Sequence, residues 1–203
     1  MTGSSHAPVI LASASRVRAS LLTAAGLTFE VVVSAVDEDE IKRSLRADGA
    51  DVATAADTLA LAKAQRVSQR HPGALVIGAD QILDCNGTWF DKPPDIAHAR
   101  AQLFALRGRS HILATAVCVV RNGERIWHAR AQPRLTMRTF TADFLDRYLE
   151  REGASVLSSV GAYRLEGLGV QLFAAIDGDH FSILGLPLLP LLEFLRQHGV
   201  VER

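Results

Sequence analysis

The sequence predicts an α/β protein built on a mixed, twisted sheet flanked by helices. Apolar, strand-like runs alternate with helical stretches between residues 9 and 78, and strand-like runs cluster between residues 111 and 136. The first pattern is typical of parallel strands joined by helices, and the second of antiparallel strands joined by turns. The 203 residues are 48% hydrophobic, which suffices to bury a core without disulfides or a metal. We therefore expect a single domain over residues 1–203, with two lobes.

In the first half, turn residues separate alternating strands and helices. Gly26 has the position of a helix C-cap, and His71-Pro-Gly73 ends the longest helical stretch. Continuous apolar runs indicate buried strands, whereas apolar residues at helical spacing indicate amphipathic helices. The predicted elements are a strand at 9–13, a helix at 18–25, a strand at 28–33, a short helix at 41–47, a longer helix at 57–69 and a strand at 74–78.

In the second half, two Asn-Gly pairs predict turns between strands. They stand at residues 86–87 and 122–123, and Thr141 is a good N-cap for the helix after it. The predicted elements are a helix at 96–106, strands at 111–120 and 125–136, a helix at 141–152, a glycine-rich stretch with strand-like ends at 160–176 and a helix at 187–197.

Composition excludes several classes of partner. The 22 basic and 22 acidic residues cancel and no long basic run occurs, so we expect no nucleic-acid partner. Cys85 and Cys118 lack a CxxC spacing, which favours a reduced, cytoplasmic setting, and the first residues lack the pattern of a signal peptide. The most apolar segment, residues 181–195, contains a glycine and two prolines and is too short to cross a bilayer, so we expect no membrane association.

The turn after the first strand has the composition of an anion site. Ser13, Ser15, Arg16 and Arg18 stand where the strand gives way to a helix. Amide groups at a helix start point the same way, and hydroxyl and guanidinium donors beside them suit phosphate oxygens. The alternative is that Ser15 only caps the helix and both arginines lie in solvent.

Two acidic positions could serve a metal or a water molecule. Asp80 follows the apolar strand 74–78, where open α/β sheets bind ligands, and it could bind Mg²⁺ or deprotonate a water; alternatively it caps a turn. Ile82 stands where a haloacid-dehalogenase phosphatase needs a second aspartate, which argues against that class. Glu38, in the acidic run 37–40, could be a hard oxygen ligand, although such runs are usually solvated turns.

Two lysines could supply charge to the same site. Lys63 stands in an alanine- and leucine-rich helix, and Lys92 precedes two prolines that stiffen its backbone. A triphosphate site needs several converging cations, because the transition state spreads negative charge over phosphate oxygens. Ordinary solvent exposure remains the alternative for each lysine.

Taken in order, these residues resemble the Maf-like family of nucleoside triphosphate pyrophosphatases. The opening LASASRVR at residues 11–18 is similar to the family's Leu-Ala-Ser-x-Ser-Pro-Arg-Arg. The other matching blocks follow in the family's order and are VDE at 36–38, LAKA at 61–64, IGAD at 77–80, KPPD at 92–95, LRGRSHILATAV at 106–117, VGAYRLEGLG at 160–169 and GDHFSILGLPL at 178–188.

The resemblance implies a fold, an activity and a set of roles. The fold is similar to that of Maf and inosine triphosphate pyrophosphatase, with two lobes around a central cleft, usually in a homodimer. The activity is hydrolysis of a nucleoside triphosphate to the monophosphate and pyrophosphate with Mg²⁺, Mn²⁺ or Co²⁺. The family is also linked to clearing non-standard nucleotides and to cell-division arrest. The implied roles are phosphate contacts for Ser13, Arg18, Lys63 and Lys92, metal binding for Glu38, and proton acceptance from water for Asp80. From the residue types themselves we also expect a substrate contact for Ser15 and metal binding by Asp80.

Four departures from the family pattern affect the expected base preference. Val17 replaces the first arginine of the pair, Gln81 a threonine, Ser159 a lysine and Glu166 a glutamine. We expect base contacts around Gln81, Trp89 and Glu166, where a carboxylate could accept hydrogen bonds from a guanine or modified purine. Two other functions remain open at this point: a nucleotide-binding regulator of cell division without turnover, and a phosphatase that releases orthophosphate.

Overall fold

A computed structural model describes residues 7–202 of the chain. Residues 1–6 and Arg203, which the single-domain prediction includes, lie outside the described residues. The strands are β1 (Val9–Leu11), β2 (Glu30–Val31), β3 (Leu75–Cys85), β4 (Thr88–Phe90), β5 (Ser110–Arg121), β6 (Glu124–Ala131), β7 (Arg134–Met137) and β8 (Phe173–Asp177). The α-helices are α1 (Arg16–Ala24), α2 (Glu38–Ala47), α3 (Val52–Ser68), α4 (Ile96–Leu106), α5 (Ala142–Glu152), α6 (His180–Ile183) and α7 (Leu188–Gln197).

The strands form a mixed sheet, as the sequence predicts. Their order is β2-β1-β3-β5-β7-β8, with β4 beside β3 and β6 beside β5. Strand β1 is parallel to β2 and β3, whereas β5 is antiparallel to β6 and β7, and β8 is antiparallel to β7. The parallel part comes from the region where strands and helices alternate, and the antiparallel part from the clustered strands.

The chain divides into two compact units. In the described range, the first unit comprises residues 7–80, 115–131 and 180–202, and the second comprises residues 81–114 and 132–179. The predicted cleft stays a prediction. The core of the first unit joins β1, the start of β3 and the end of β5 to α1 and α7 through fully buried side chains, among them Leu11, Leu22, Ile77, Val117 and Leu195.

Within the first unit, helix α3 lies against β3 at the position of Gly78. A Cβ built on Gly78 would stand 2.2 Å from the Ala60 carbonyl oxygen and 2.7 Å from the Ala64 Cβ. Only glycine on the strand and small residues on the helix permit this approach. It brings Lys63, which precedes Ala64 on α3, close to Asp80 on β3.

The second unit is centred on a buried aromatic group. His111 Nε2 and the Tyr163 hydroxyl are joined by a hydrogen bond of 2.8 Å, and both rings lie against Phe173. Burial lowers the pKa of His111 to about 4, so the ring is neutral near pH 7. This geometry supports a structural role for His111.

Strand β3 runs past the predicted bounds 74–78 to Cys85, because it continues into the hairpin with β4. Asp80 therefore lies inside the strand, and the prediction that it follows the carboxyl end of a strand is wrong.

Other element boundaries also differ from the predicted ones, three of them for local reasons. Helix α3 begins at Val52, because Asp51 caps it by accepting a hydrogen bond from the Thr54 amide at 2.8 Å. The predicted strand 125–136 is two strands, β6 and β7, which Pro133 separates because it has no amide hydrogen for a ladder. The glycine-rich stretch 160–176 contains short 3₁₀ helices before β8, since Gly161 adopts φ 76°.

Both cysteines are reduced and buried, as their spacing suggests. Across residues 7–202, every helix is too short or too polar to traverse a bilayer.

Candidate active site

The loop between β1 and α1 folds around its two serines. The Ser15 side chain caps α1 and accepts a hydrogen bond from the Arg18 amide at 3.3 Å, and the Ser15 amide donates to the Ser13 hydroxyl at 3.2 Å. The capping interpretation of Ser15 is therefore confirmed. Helix α1 begins at Arg16, two residues before the predicted start, with Arg16 exposed and Ser13 buried.

Arg18 is buried and does not lie in solvent. Its Nε donates to the Gly185 carbonyl at 2.8 Å, and its Nη1 donates to the Ala79 carbonyl at 2.8 Å and to the Ser13 hydroxyl at 3.2 Å. Burial lowers the pKa of the Arg18 guanidinium, and the negative charges of Asp80 and Glu38 raise it. Arg18 thus ties the first loop to β3 at the residue before Asp80 and supplies positive charge beside two carboxylates.

Lys63 joins those two carboxylates. Its Nζ lies 2.6 Å from Asp80 Oδ1 and 2.8 Å from Glu38 Oε1. Lys63 and Asp80 are 7% and 5% exposed, whereas the Glu38 side chain is 43% exposed. Three predicted site residues from separate parts of the sequence therefore meet in one cluster, which is buried on one side and open to solvent at Glu38.

Helix α2 explains why only one residue of the acidic run reaches this cluster. Asp37 caps the helix, accepting a hydrogen bond from the Glu40 amide at 2.9 Å. Glu38, the first helical residue, points its carboxylate at Lys63, and Asp39 and Glu40 are exposed. The solvated-turn interpretation is therefore right for those two residues, and it is wrong for Glu38.

The donor set fits a metal that arrives with phosphate. In the described part of the chain, no three His, Cys, Asp or Glu side chains gather as a metal-binding group. Glu38 and Asp80 together could supply two carboxylate ligands. Mg²⁺ commonly takes one or two carboxylates and completes its octahedron with water and substrate phosphates. The two acids thus suit a metal shared with a nucleotide, and they are too few for a closed protein site.

The other predicted residues belong to the second unit. Gln81 is half-buried in β3, Lys92 is exposed after β4, and Trp89 lies on β4 opposite Asp84. Glu166 Oε1 accepts a hydrogen bond from Arg164 Nε at 3.2 Å. Their roles towards the base and the phosphates stay predictions.

The residues predicted from the sequence do not include Glu152, whose carboxylate contacts the segment around Glu166. Glu152, at the end of α5, accepts a hydrogen bond from the Leu168 amide at 2.9 Å and pairs with Arg164 at 3.4 Å. Its side chain is buried, although in the sequence it is one of several charged residues on an amphipathic helix. Gly167 is the trace of this contact in the sequence, because a Cβ at that position would stand only 2.9 Å from the Glu152 carboxylate.

Comparison with known proteins gives consistent matches over nearly the whole chain. Proteins named nucleoside triphosphate pyrophosphatase from Granulibacter bethesdensis and Paramagnetospirillum magneticum are each 56% identical over 190 residues, covering 94% of this chain and 96% and 98% of theirs. One of the same name from Rhodospirillum rubrum is 55% identical over 194 residues, covering 96% of both chains. A family model described as Maf-like protein matches residues 8–198. The chain therefore belongs to the Maf-like family.

Proposed function

We propose that this protein is a nucleoside triphosphate pyrophosphatase, which hydrolyses the bond between the α and β phosphates and releases a nucleoside monophosphate and pyrophosphate. The observation that carries the proposal is the buried Lys63–Asp80 pair with Glu38 at its solvent side. The Asp80 carboxylate lies on β3 just beyond the point where β1 stops pairing with it, beside two buried cations, and is suited to proton transfer next to phosphate. The name shared by relatives that are 55–56% identical supports the same activity.

Asp80 accepts the proton of the attacking water in this proposal. Water adds to the α-phosphorus, its proton passes to the Asp80 carboxylate, and the bond to the β-phosphate oxygen breaks so that pyrophosphate leaves with the bonding electrons. Lys63 and Arg18 stabilise the added negative charge, and so do the amides and hydroxyls of Ser13 and Ser15. Lys92 is proposed as a further phosphate contact.

A divalent cation, Mg²⁺ or else Mn²⁺ or Co²⁺, would be held by Glu38 and Asp80 together with phosphate oxygens. When bound, it neutralises phosphate charge. Glu38 is the ligand best suited to adjust on binding, because its side chain is 43% exposed and lies on the first turn of a helix. Asp80 is fixed by burial.

Base recognition is assigned to Gln81, Trp89 and Glu166. A carboxylate only accepts hydrogen bonds, so Glu166 suits the amino and imino hydrogens of guanine or of a modified purine. Arg164 Nε donates a hydrogen bond to the same carboxylate at 3.2 Å. We also propose that the protein acts as a homodimer in the cytoplasm.

The test is a panel of natural and modified nucleoside triphosphates with Mg²⁺, in which pyrophosphate and orthophosphate are measured separately. Pyrophosphate release that is abolished in D80N supports the proposal. E38Q should lose most activity, whereas E40Q, which changes an exposed acid on the same helix turn, should keep it. Release of orthophosphate alone would identify a general phosphatase, and tight binding without turnover would identify a nucleotide-binding regulator.

A further inference from the structure

Lys63 occupies the space between the two carboxylates that a metal would need. Its Nζ stands within hydrogen-bond distance of Asp80 Oδ1 at 2.6 Å and of Glu38 Oε1 at 2.8 Å. An ammonium group placed in this way is a cation already bound by both acids. We infer that Lys63 excludes divalent cations from the ligand-free protein, so that the metal enters only with the triphosphate. This inference rests on the proposed function, because it concerns how that site acquires its metal.

The charges of the cluster lead to the same conclusion. Asp80 and Glu38 carry two negative charges, Lys63 carries one positive charge, and the Arg18 guanidinium is near enough to interact with both acids. The four side chains therefore balance in the ligand-free state. A divalent cation alone would leave two uncompensated positive charges in a partly buried site, where repulsion is weakly screened. A triphosphate brings the negative charge that the metal requires.

The side chains of Lys63 and Glu38 can make room for a metal while the backbone stays in place. Helix α3 is packed closely against β3 here, because the Ala60 carbonyl and the Ala64 Cβ lie as close to Gly78 as the absence of a side chain permits. Space for a metal comes from rotation of the Lys63 side chain, which has four flexible carbons, or from Glu38 on the solvent side. A phosphate oxygen gives the displaced ammonium a new partner, so nucleotide binding and metal entry assist each other.

Direct binding of Mn²⁺ tests this inference without using activity. Free Mn²⁺ is measured by electron paramagnetic resonance in titrations of the wild-type protein, of K63M and of R70M. Arg70 is the matched control, because it is an exposed cation that lies just after the end of α3. We expect K63M to bind Mn²⁺ at least about tenfold more tightly than wild type, and R70M to match wild type. Adding E38Q to K63M should remove the gain.

The wild-type protein gives a second test that does not depend on the folding of K63M. A triphosphate analogue with a methylene group between the α and β phosphorus atoms should raise the affinity for Mn²⁺ at least about tenfold, and Mn²⁺ should raise the affinity for the analogue by the same factor. Tight Mn²⁺ binding by the nucleotide-free wild type, or no gain in a folded K63M, would overturn the inference. Failure of the proposed function would be seen separately, as no pyrophosphate from any triphosphate.

Discussion

The substitution G78A perturbs the site sharply, because it adds one methyl group where the backbones of α3 and β3 are in contact. In G78A the new Cβ would stand 2.2 Å from the Ala60 carbonyl oxygen, 2.7 Å from the Ala64 Cβ and 3.1 Å from the Ala64 amide nitrogen. The first of these contacts is with backbone, so no side chain can turn away. Helix α3 must move off β3 by an ångström or so, and Lys63 must move with it.

The expected cost has two parts. Overpacking against a rigid neighbour costs about 1–3 kcal/mol, and the backbone contact places G78A at or above the upper end of that range. Moving Lys63 relative to Asp80 by about 1 Å should lower kcat by roughly a hundredfold. Urea unfolding measures the first effect, and pyrophosphate release measures the second.

Two variants control for other causes. In G73A the glycine has φ 79° and nothing within 4 Å of the added Cβ, so backbone strain should lower stability by about 1 kcal/mol while activity stays normal. In G78A/A64G one of the clashing atoms is removed but the Ala60 carbonyl remains, so only partial recovery is expected. A G78A protein within about 0.5 kcal/mol of wild type and fully active would show that neither stability nor the position of Lys63 depends on this close contact.

Three further predictions concern charge. Burial raises the pKa of Asp57, but hydrogen bonds from Arg130 and Arg125 lower it by more, so the folded pKa lies below the unfolded one. D57N should cost roughly 1–2 kcal/mol of unfolding free energy near pH 7, a value discounted because the arginines are partly exposed. In urea unfolding this difference should begin to shrink as the pH falls to about 4 and should disappear below the folded pKa. Burial lowers the pKa of His111 to about 4, so between pH 7 and pH 4 the unfolded chain binds a proton at this ring that the folded chain does not bind. In urea unfolding over this range, the free energy of unfolding of wild type should therefore fall by roughly 3 kcal/mol more than that of H111Q. E166Q should lower kcat/KM for guanine nucleotides about tenfold relative to other bases, and an unchanged ranking of bases would contradict the assignment of Glu166.

Elements with their own local signals are predictable from the sequence. Helix α4 has the predicted bounds, 96–106, because Asp95 caps it through the His98 amide at 2.8 Å and its apolar residues recur at helical spacing. The turn at Asn122-Gly123 likewise requires positive φ at both residues, and both adopt it. By contrast, α3 starts five residues before its predicted position, since alanines and threonines near its N-terminus carry little periodicity.

The candidate site is predictable in its residue types and not in its contacts. The acid that follows the apolar run 74–78 and the helix start at Ser15 indicate where an acid and an anion belong, although β3 continues past Asp80 to Cys85. The sequence does not reveal that Lys63 bridges Asp80 and Glu38, because that pairing depends on how closely α3 approaches β3. Nor does it reveal that Arg18 donates to the distant Gly185 carbonyl, since main-chain acceptors carry no signature in sequence.

The central claim is that Asp80 delivers water to the α-phosphorus. Hydrolysis of the preferred triphosphate in ¹⁸O-labelled water, followed by mass spectrometry of both products, tests this most directly. If water attacks the α-phosphorus with the help of Asp80, one ¹⁸O atom enters the nucleoside monophosphate and none enters the pyrophosphate. The D80N variant then gives no labelled product. Label in the pyrophosphate, or unchanged labelling of the monophosphate by D80N, would contradict it.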